Sequence, residues 1–282
     1  MSALDGLVLT TLVLALAVPA RAATLKCPVD SVAVGTVCVD RYEASAWQIA
    51  PSNKALVKKV QSGKVTLKDL TKGGAVQLGC TGVSWNLAAP PANFPDDGNW
   101  TPVLGSVPPS PGVYAVSIAG VLPSSCITWF QANQACALSG KRLLRNGEWQ
   151  RAAAGTPDPG TDNGATDCNV GGMVGPLQTG SRSSCKSSWG AFDMVGNVDE
   201  WVEDWADNNG TSPCTDWTTT AGIAGTDNSC FGGPGGSGSN ALPAALIRGG
   251  FWGDGDRAGV FAVFAHVAPS APGSFIGFRC AR

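Results

Sequence analysis

The residues of this chain with the most open chemistry are its cysteines, its histidine and one acidic loop. A thiolate can serve as nucleophile or metal ligand, but a zinc cage needs close Cys pairs or nearby His. The chain has 10 Cys and 1 His, with no CxxC pair. That excludes a zinc cage and points to disulfides. The lone histidine, His266, stands beside Phe264 in the terminal segment. An imidazole can act as a general base. No nucleophile is visible near it in sequence, so a surface contact is the simpler role. The loop DMVGNVDEW gathers Asp193, Asp199 and Glu200 around Gly196, which lets the main chain turn sharply. Calcium takes such mixtures of carboxylate and carbonyl oxygens in one tight loop. An acidic turn bonded to its own backbone uses the same residues. The Gly-rich GPGGSGS lacks the Lys and the strand–helix flanks of a phosphate loop.

The terminal segment Arg248 to Arg282 is organised as anchors and loops. Arg248-Gly249-Gly250 with Trp252 opens it, and Ile276, Phe278 and Cys280 close it on one face of a short strand. Between them Val260 to His266 reads as a strand. Period 2 puts Phe261, Val263 and Ala265 on one side, Phe264 and His266 on the other. The loops GDGDR and APSAPGSF carry small, acidic and aromatic residues in no periodic order. An anchored frame with irregular side chains suits recognition.

The elements that must position these residues follow from local pattern. Cys27 to Tyr42 reads as two short strands around Gly35. Asn53 to Pro123 reads as an elaboration of loops and edge strands, with Lys54, Lys58 and Lys59 on a solvated face and Asp96-Asp97 before Gly98 in a turn. From Ile127 to Ser139 the spacing is helical, with Trp129, Ala132 and Cys136 on one stripe and Gly140 as the stop. A second helix is expected from Gly147 to Ala154, capped by Asn146, with Trp149 in the core. Trp201, Trp205 and Trp217 mark a loop region as aromatic anchors, and Gly232 to Ser239 reads as a flexible connector.

Leu7 to Val18 is an apolar run followed by Ala20-Arg21-Ala22, the pattern of a signal peptide (1–22) cleaved after Ala22. The run is short for a membrane span, and no later segment is long and apolar enough for one. All the cysteines follow the cleavage site, which agrees with export to an extracellular, periplasmic or cell-surface setting. The net charge is −2 with pI ≈ 5.4, so no basic field recruits nucleic acid. Residues 23–282 suffice for a single domain with a sizeable core. High Gly and Pro with scattered Trp suggests a loop-rich fold pinned by aromatics and disulfides. Counting leaves the disulfide connectivity open. The expected pairing is Cys27–Cys38 across the first hairpin, with Cys168–Cys185 and Cys214–Cys230 as loop staples. Cys136–Cys280 then joins a helix to the last strand, and Cys80–Cys126 follows by elimination.

Several stretches carry a resemblance. Arg248-Gly249-Gly250 with Trp252, Gly277-Phe278-Arg279-Cys280, LSGKRLLRNGEW and GAFDMVGNVDEWVEDW resemble the signatures of the formylglycine-generating enzyme (sulfatase-modifying factor) family, in the family's order. The frame AGVFAV…APS…IGFRCAR is most similar to the variable proteins of diversity-generating retroelements. The resemblance implies an α+β, C-type-lectin-like fold of the formylglycine-generating-enzyme type. It implies a structural calcium held by the Asp193 side chain, the Gly196 and Val198 carbonyls and the Glu200 side chain. The family usually has Trp where this chain has Asp199, which adds a charge and removes an apolar plug.

The resemblance also implies adenine-templated variation, mostly of AAC-type codons, which never yields Lys, Glu, Gln or Met. Phe251 to Phe275 contains none of these four. The implied ligand-binding positions are Phe251, Gly253, Asp254, Asp256, Arg257, Phe264, His266, Val267, Ala271, Pro272, Gly273, Ser274 and Phe275. Of these, Phe251, Phe264 and Phe275 are the expected apolar anchors, with Asp254, Asp256, Arg257 and His266 setting polarity. An oxidase of the family needs a reactive Cys pair with copper, and Phe251 to Phe275 holds no Cys. One His cannot build the three-histidine iron site of related sulfoxide synthases. Neither copper nor iron is therefore expected. The expectation is a non-catalytic, secreted or surface-displayed ligand-binding protein whose partner is a protein or cell-surface ligand. A formylglycine-generating oxidase is the alternative.

Overall fold

The computed structural model describes residues 25–80, 112–158, 160–172, 175–206, 215–216, 227–231 and 243–282. The expected signal peptide, Cys214 of the expected Cys214–Cys230 pair, Trp217, the Asp96-Asp97 turn and the Gly232 to Ser239 connector lie outside them. The first strands are β1 (Ser31–Val34), β2 (Val37–Asp40) and β3 (Ser45–Ile49), followed by helices α1 (Lys54–Gln61) and α2 (Leu67–Lys72). Strands β4 (Val76–Leu78) and β5 (Gly112–Val116) precede α3 (Trp129–Leu138), β6 (Arg142–Leu143) and α4 (Asn146–Ala153). The rest is β7 (Asp199–Ala206), β8 (Thr215–Asp216), β9 (Asn228–Phe231), β10 (Ala244–Arg248), β11 (Val263–Ala265), β12 (Ile276–Phe278) and β13 (Cys280–Ala281).

Three sheets result, ordered β1-β2-β13-β6, β12-β7-β10-β11-β9-β8 and β4-β3-β5. The fold is α+β, as expected. The hairpin β1–β2 turns at Gly35, whose φ of +61° suits glycine. Helix α3 starts one residue after Thr128, which with Gln131 forms a capping box, and Gly140 follows its end at φ +68°. Among the described residues four disulfides close: Cys27–Cys38, Cys80–Cys126, Cys136–Cys280 and Cys168–Cys185. Among the described residues no helix is long and apolar enough to cross a membrane.

Five local expectations need correction. The stretch holding Trp201 and Trp205, expected as a loop, is strand β7. The Lys-rich stretch after Asn53 is helical. Leu56 and Val60 repeat at i, i+4 and are buried, and Asn53 accepts from the Leu56 amide as a cap. With Trp47, Ile49, Leu70 and Val116 they form their own apolar cluster. Asn146 does not cap α4 but is its first residue. Its side chain accepts from Arg248, while Glu148 accepts from the Arg145 amide. The strand expected over Val260 to His266 is only Val263–Ala265, because Arg248 takes the Val260 and Ala262 carbonyls before a ladder can form. Finally, Ile276 to Cys280 is not one strand. The chain changes sheets at Arg279, with β12 on β7 and β13 between β2 and β6.

Candidate functional site

The terminal segment is built onto one apolar cluster that includes Ile127, Cys136, Val198, Trp201, Ile247, Trp252, Phe275 and Phe278. Half-buried Phe251, Phe264 and Ala271 pack against this same cluster from outside. The segment begins with a turn that only glycine permits. Gly250 has φ +80°, and a Cβ there would lie 2.6 Å from the Ala258 Cα. Trp252 then drops into the core at 2% exposure. The Phe251 ring meets Trp252 edge-on at 5.1 Å and the Phe275 ring at 4.6 Å. Asp254 folds the GDGDR loop back on itself. Its carboxylate accepts from the Phe251 amide at 3.2 Å. Burial pushes the Asp254 carboxyl up to about 6, against that hydrogen bond and Arg257, which pull it down. A single tight turn, Gly255–Arg257, follows, tied back by the Gly255 amide to the Val170 carbonyl.

The thirteen expected contact positions divide by exposure. Asp256, Arg257 and His266 are exposed, and Phe251, Gly253, Phe264, Ala271 and Pro272 are half-buried. Asp254, Val267, Gly273, Ser274 and Phe275 are buried. These five back the surface from beneath, which departs from the expected display of all thirteen. Val267 and Phe275 belong to the apolar cluster itself, and the Gly273 carbonyl accepts from the Cys126 amide. Phe264 and His266 stand together, ring centroids 5.6 Å apart; His266 reaches solvent, and partial desolvation of its ring by the surrounding atoms lowers its pKa. The outward set is thus two aromatic pieces, Phe251 and Phe264 with His266, on a common base beside a charged turn.

Spacing missed the side chains that hold the next stretch, Gly259 to Ala262. Asp158, Asp227, Gln150 and Arg248 all bond to its main chain. They come from far apart in sequence, and no local pattern marks them.

The acidic loop is buried and its carboxylates are committed. Both Glu200 oxygens lie within 2.8 Å of Arg279 Nε, and Trp149 Nε1 donates to Oε2 at 2.7 Å. The Asp193 carboxylate accepts from the Gly180 amide at 2.7 Å, and burial pushes its carboxyl up to about 7. Within this loop Glu43 accepts from the Val198 backbone amide and from the Asn197 side chain. Among the described residues no group of three or more His, Cys, Asp or Glu can hold a metal ion. Of the expected calcium set, Glu200 faces the Arg279 guanidinium and Asp193 accepts from a backbone amide.

Residues 34–282 match the family described as "Sulfatase-modifying factor enzyme 1-like domain". Over 152 residues, 54% of this chain, the sequence is 30% identical to a tail fiber receptor-binding protein of Bordetella phage BPP-1. The match spans 35% of that relative's length. Among solved structures, a Major Tropism Determinant M1 variant shares 25% identity over 55% of this chain and 37% of its own, with a TM-score of 0.38. Treponema denticola variable protein 1 shares 17% identity over 90% of this chain and 99% of its own, with a TM-score of 0.38.

Proposed function

Because the chain belongs to the sulfatase-modifying factor enzyme 1-like family, we propose that it uses this fold to bind and not to catalyse. It is a receptor-like variable protein of the retroelement-diversified kind, and its ligand is a protein or other molecule on a cell surface. The observation that carries this reading is the outward set of Phe251, Phe264, His266, Asp256 and Arg257 on a main chain fixed from behind. Aromatic rings on a rigid base supply most of the contact energy in interfaces, and nearby charges set selectivity. A phage relative whose name describes a tail fiber receptor-binding protein supports the same class.

The chemistry of the segment agrees. An oxidase of this family would need a reactive thiol pair after Arg248-Gly249-Gly250. Phe251 to Phe275 carries no Cys, and Cys280 is bonded to Cys136. The proposal includes export, with cleavage after Ala22, and one domain over 23–282. It includes no resident calcium at the acidic loop, where Arg279 supplies the positive charge.

The test is a binding titration of the labelled full chain on a panel of intact bacterial cells. Saturable binding to some member, weakened at least 10-fold by Phe264→Ala with His266→Ala, supports the proposal. Conversion of a sulfatase-type Cys peptide to formylglycine in the presence of copper overturns it. A reverse transcriptase gene and a near-identical template repeat beside the coding sequence are the expected genomic setting.

A further inference from the structure

The net charge of the chain hides a one-sided field on helices α1 and α2. Residues 54–72 hold six Lys against one Asp, so five positive charges sit on a chain of net charge −2 and the remainder carries −7. The inner faces of the two helices are apolar. Leu56, Val60 and Leu70 are buried against Trp47, Ile49 and Val116. That burial turns the opposite faces to solvent. Lys54 and Lys58 repeat at i, i+4 on α1, as Lys68 and Lys72 do on α2, and all four are exposed. Lys64, also exposed, lies in the link between the helices. The sixth, Lys59, is spent on Asp69 at 2.6 Å and fastens α1 to α2. Among the described residues no acid pairs with the other five.

Helix stability does not ask for this pattern. Like charges at i, i+4 repel. Lysines in a last turn match the helix dipole, which accounts for Lys58, Lys59 and Lys72. Lys54 is the first residue of α1 and Lys68 the second of α2, where the dipole favours acids. The face is also all lysine. The planar fork of arginine suits oriented recognition of one phosphate or carboxylate, whereas lysines are separate point charges that suit a diffuse negative surface. Two apolar side chains stand exposed beside them. Leu67, the first residue of α2, is 40% exposed, and Val76, shortly after its end, is 56% exposed. Lysines around exposed apolar side chains make an interfacial pattern, in which charges meet headgroups and apolar groups enter the boundary beneath.

We propose that the outward face of α1 and α2 docks on the surface of an anionic lipid bilayer, with Lys54, Lys58, Lys64, Lys68 and Lys72 against the headgroups and Leu67 entering between them. The proposal goes beyond the binding function of the terminal segment and uses another part of the fold. The negative remainder of the chain is repelled by the same surface, which orients α1 and α2 towards the lipid.

The test floats the full chain with vesicles of phosphatidylcholine alone and of phosphatidylcholine with about one-third phosphatidylglycerol. Binding to the neutral vesicles measures what the apolar run Leu7 to Val18 contributes and is the baseline. At low salt the parent partitions roughly 10-fold or more in favour of the anionic vesicles, and high salt releases it by screening. Lys54→Gln with Lys68→Gln lowers that partitioning several-fold and leaves the melting temperature equal or higher. Lys26→Gln with Lys186→Gln removes the same charge from exposed lysines elsewhere and leaves partitioning near the parent's. Leu67→Ser weakens vesicle binding and leaves retention on immobilised heparin, a polyanion without an apolar phase, unchanged. Equal losses from the two lysine pairs make binding a matter of net charge and overturn the proposal. Vesicle binding untouched by Leu67→Ser, together with retention on heparin, assigns the face to a polyanionic glycan and overturns the lipid docking. No preference for anionic vesicles overturns it as well. Cell binding through Phe264 and His266 stands or falls separately, since none of these substitutions touches the terminal segment.

Discussion

Arg279 and Glu200 form a buried ion pair at the point where the chain crosses from one sheet to another. Arg279 Nη2 lies 2.6 Å from Glu200 Oε1, and the two side chains are 0% and 1% exposed. The same guanidinium donates to the carbonyls of Asp40, Phe192 and Asp193. One side chain therefore ties β2, the acidic loop, β7 and the junction of β12 with β13. Removing one partner leaves the other charge buried and unmatched, which costs roughly 3–5 kcal/mol. Arg279→Gln and Glu200→Gln should each lower the denaturation midpoint by that order in guanidinium titrations, and the double variant should lose less than the sum. Since Glu200 is spent on Arg279, adding calcium or a chelator should leave the parent melting temperature unchanged. A rise with calcium would mean that the acidic loop rearranges to hold the ion.

Phe275 and Phe264 were equal anchors on paper, and their surroundings separate them. Phe275 is 6% exposed and belongs to the central apolar cluster, while Phe264 only rests on it. Truncating a buried Phe costs about 3–5 kcal/mol, and a half-exposed one forfeits a fraction of that. Phe275→Ala should destabilise the fold by about 3 kcal/mol or more. Phe264→Ala should cost about 1 kcal/mol and act chiefly on binding. Equal losses of stability would refute the division between supporting and contacting rings.

Much of this scaffold was legible because its signals are local. Gly35 between two short apolar runs made a hairpin, and the stripe of Trp129, Ala132 and Cys136 with Gly140 as its stop marked α3. The terminal surface was legible in composition but less so in orientation. Period 2 assigned Phe261 to the core side, yet the Arg248 side chain captures the Val260 and Ala262 carbonyls and breaks the alternation there. Phe275 turns inward because its carbonyl is already held by the Asp199 amide and its ring meets Phe251. The pairing of the acidic loop was illegible because its partner lies 79 residues away, and nothing within the loop announces that Arg279 will meet Glu200. The clamp on residues 259–262 is illegible for the same reason, with Asp158 and Asp227 converging from separate loops.

The disulfides should differ in weight by the loops they close. Cys136–Cys280 spans 144 residues and joins α3 to β13, whereas Cys27–Cys38 spans 11. A chain-entropy account gives about 4–5 kcal/mol for a long loop and about 3 kcal/mol or less for a short one. Replacing both cysteines of the long bridge by Ala should therefore unfold the chain at clearly lower denaturant than the same change at the short bridge. Equal midpoints would show that native packing around Cys136 relaxes to offset the lost constraint.

The clamp carries its own pH dependence through Asp227. Burial first, then the neighbouring Asp158, pushes its carboxyl up to about 7 from 3.8, while the Phe261 and Ala262 amides and Arg248 pull it down. Asp158 is also raised, by burial, against the Val260 amide. The folded chain thus keeps a proton on Asp227 that the unfolded chain has already released. By linkage, this contribution to stability is fully present below about pH 3.8 and is lost as pH rises through about 7. Solvent screening reduces its size to the order of 1 kcal/mol. Asp227→Asn stays neutral throughout and still offers an oxygen to the Phe261 amide. The variant should therefore match the parent below about pH 3.8 and exceed its stability increasingly up to pH 8, with a flatter profile between. The protection of the Phe261 amide, taken relative to its intrinsic exchange rate at each pH, should fall in the parent over the same interval and change little in the variant. A parent whose stability rises from pH 5 to 8 by an amount that Asp227→Asn removes would mean that Asp227 is ionised in the fold and that Arg248 outweighs burial.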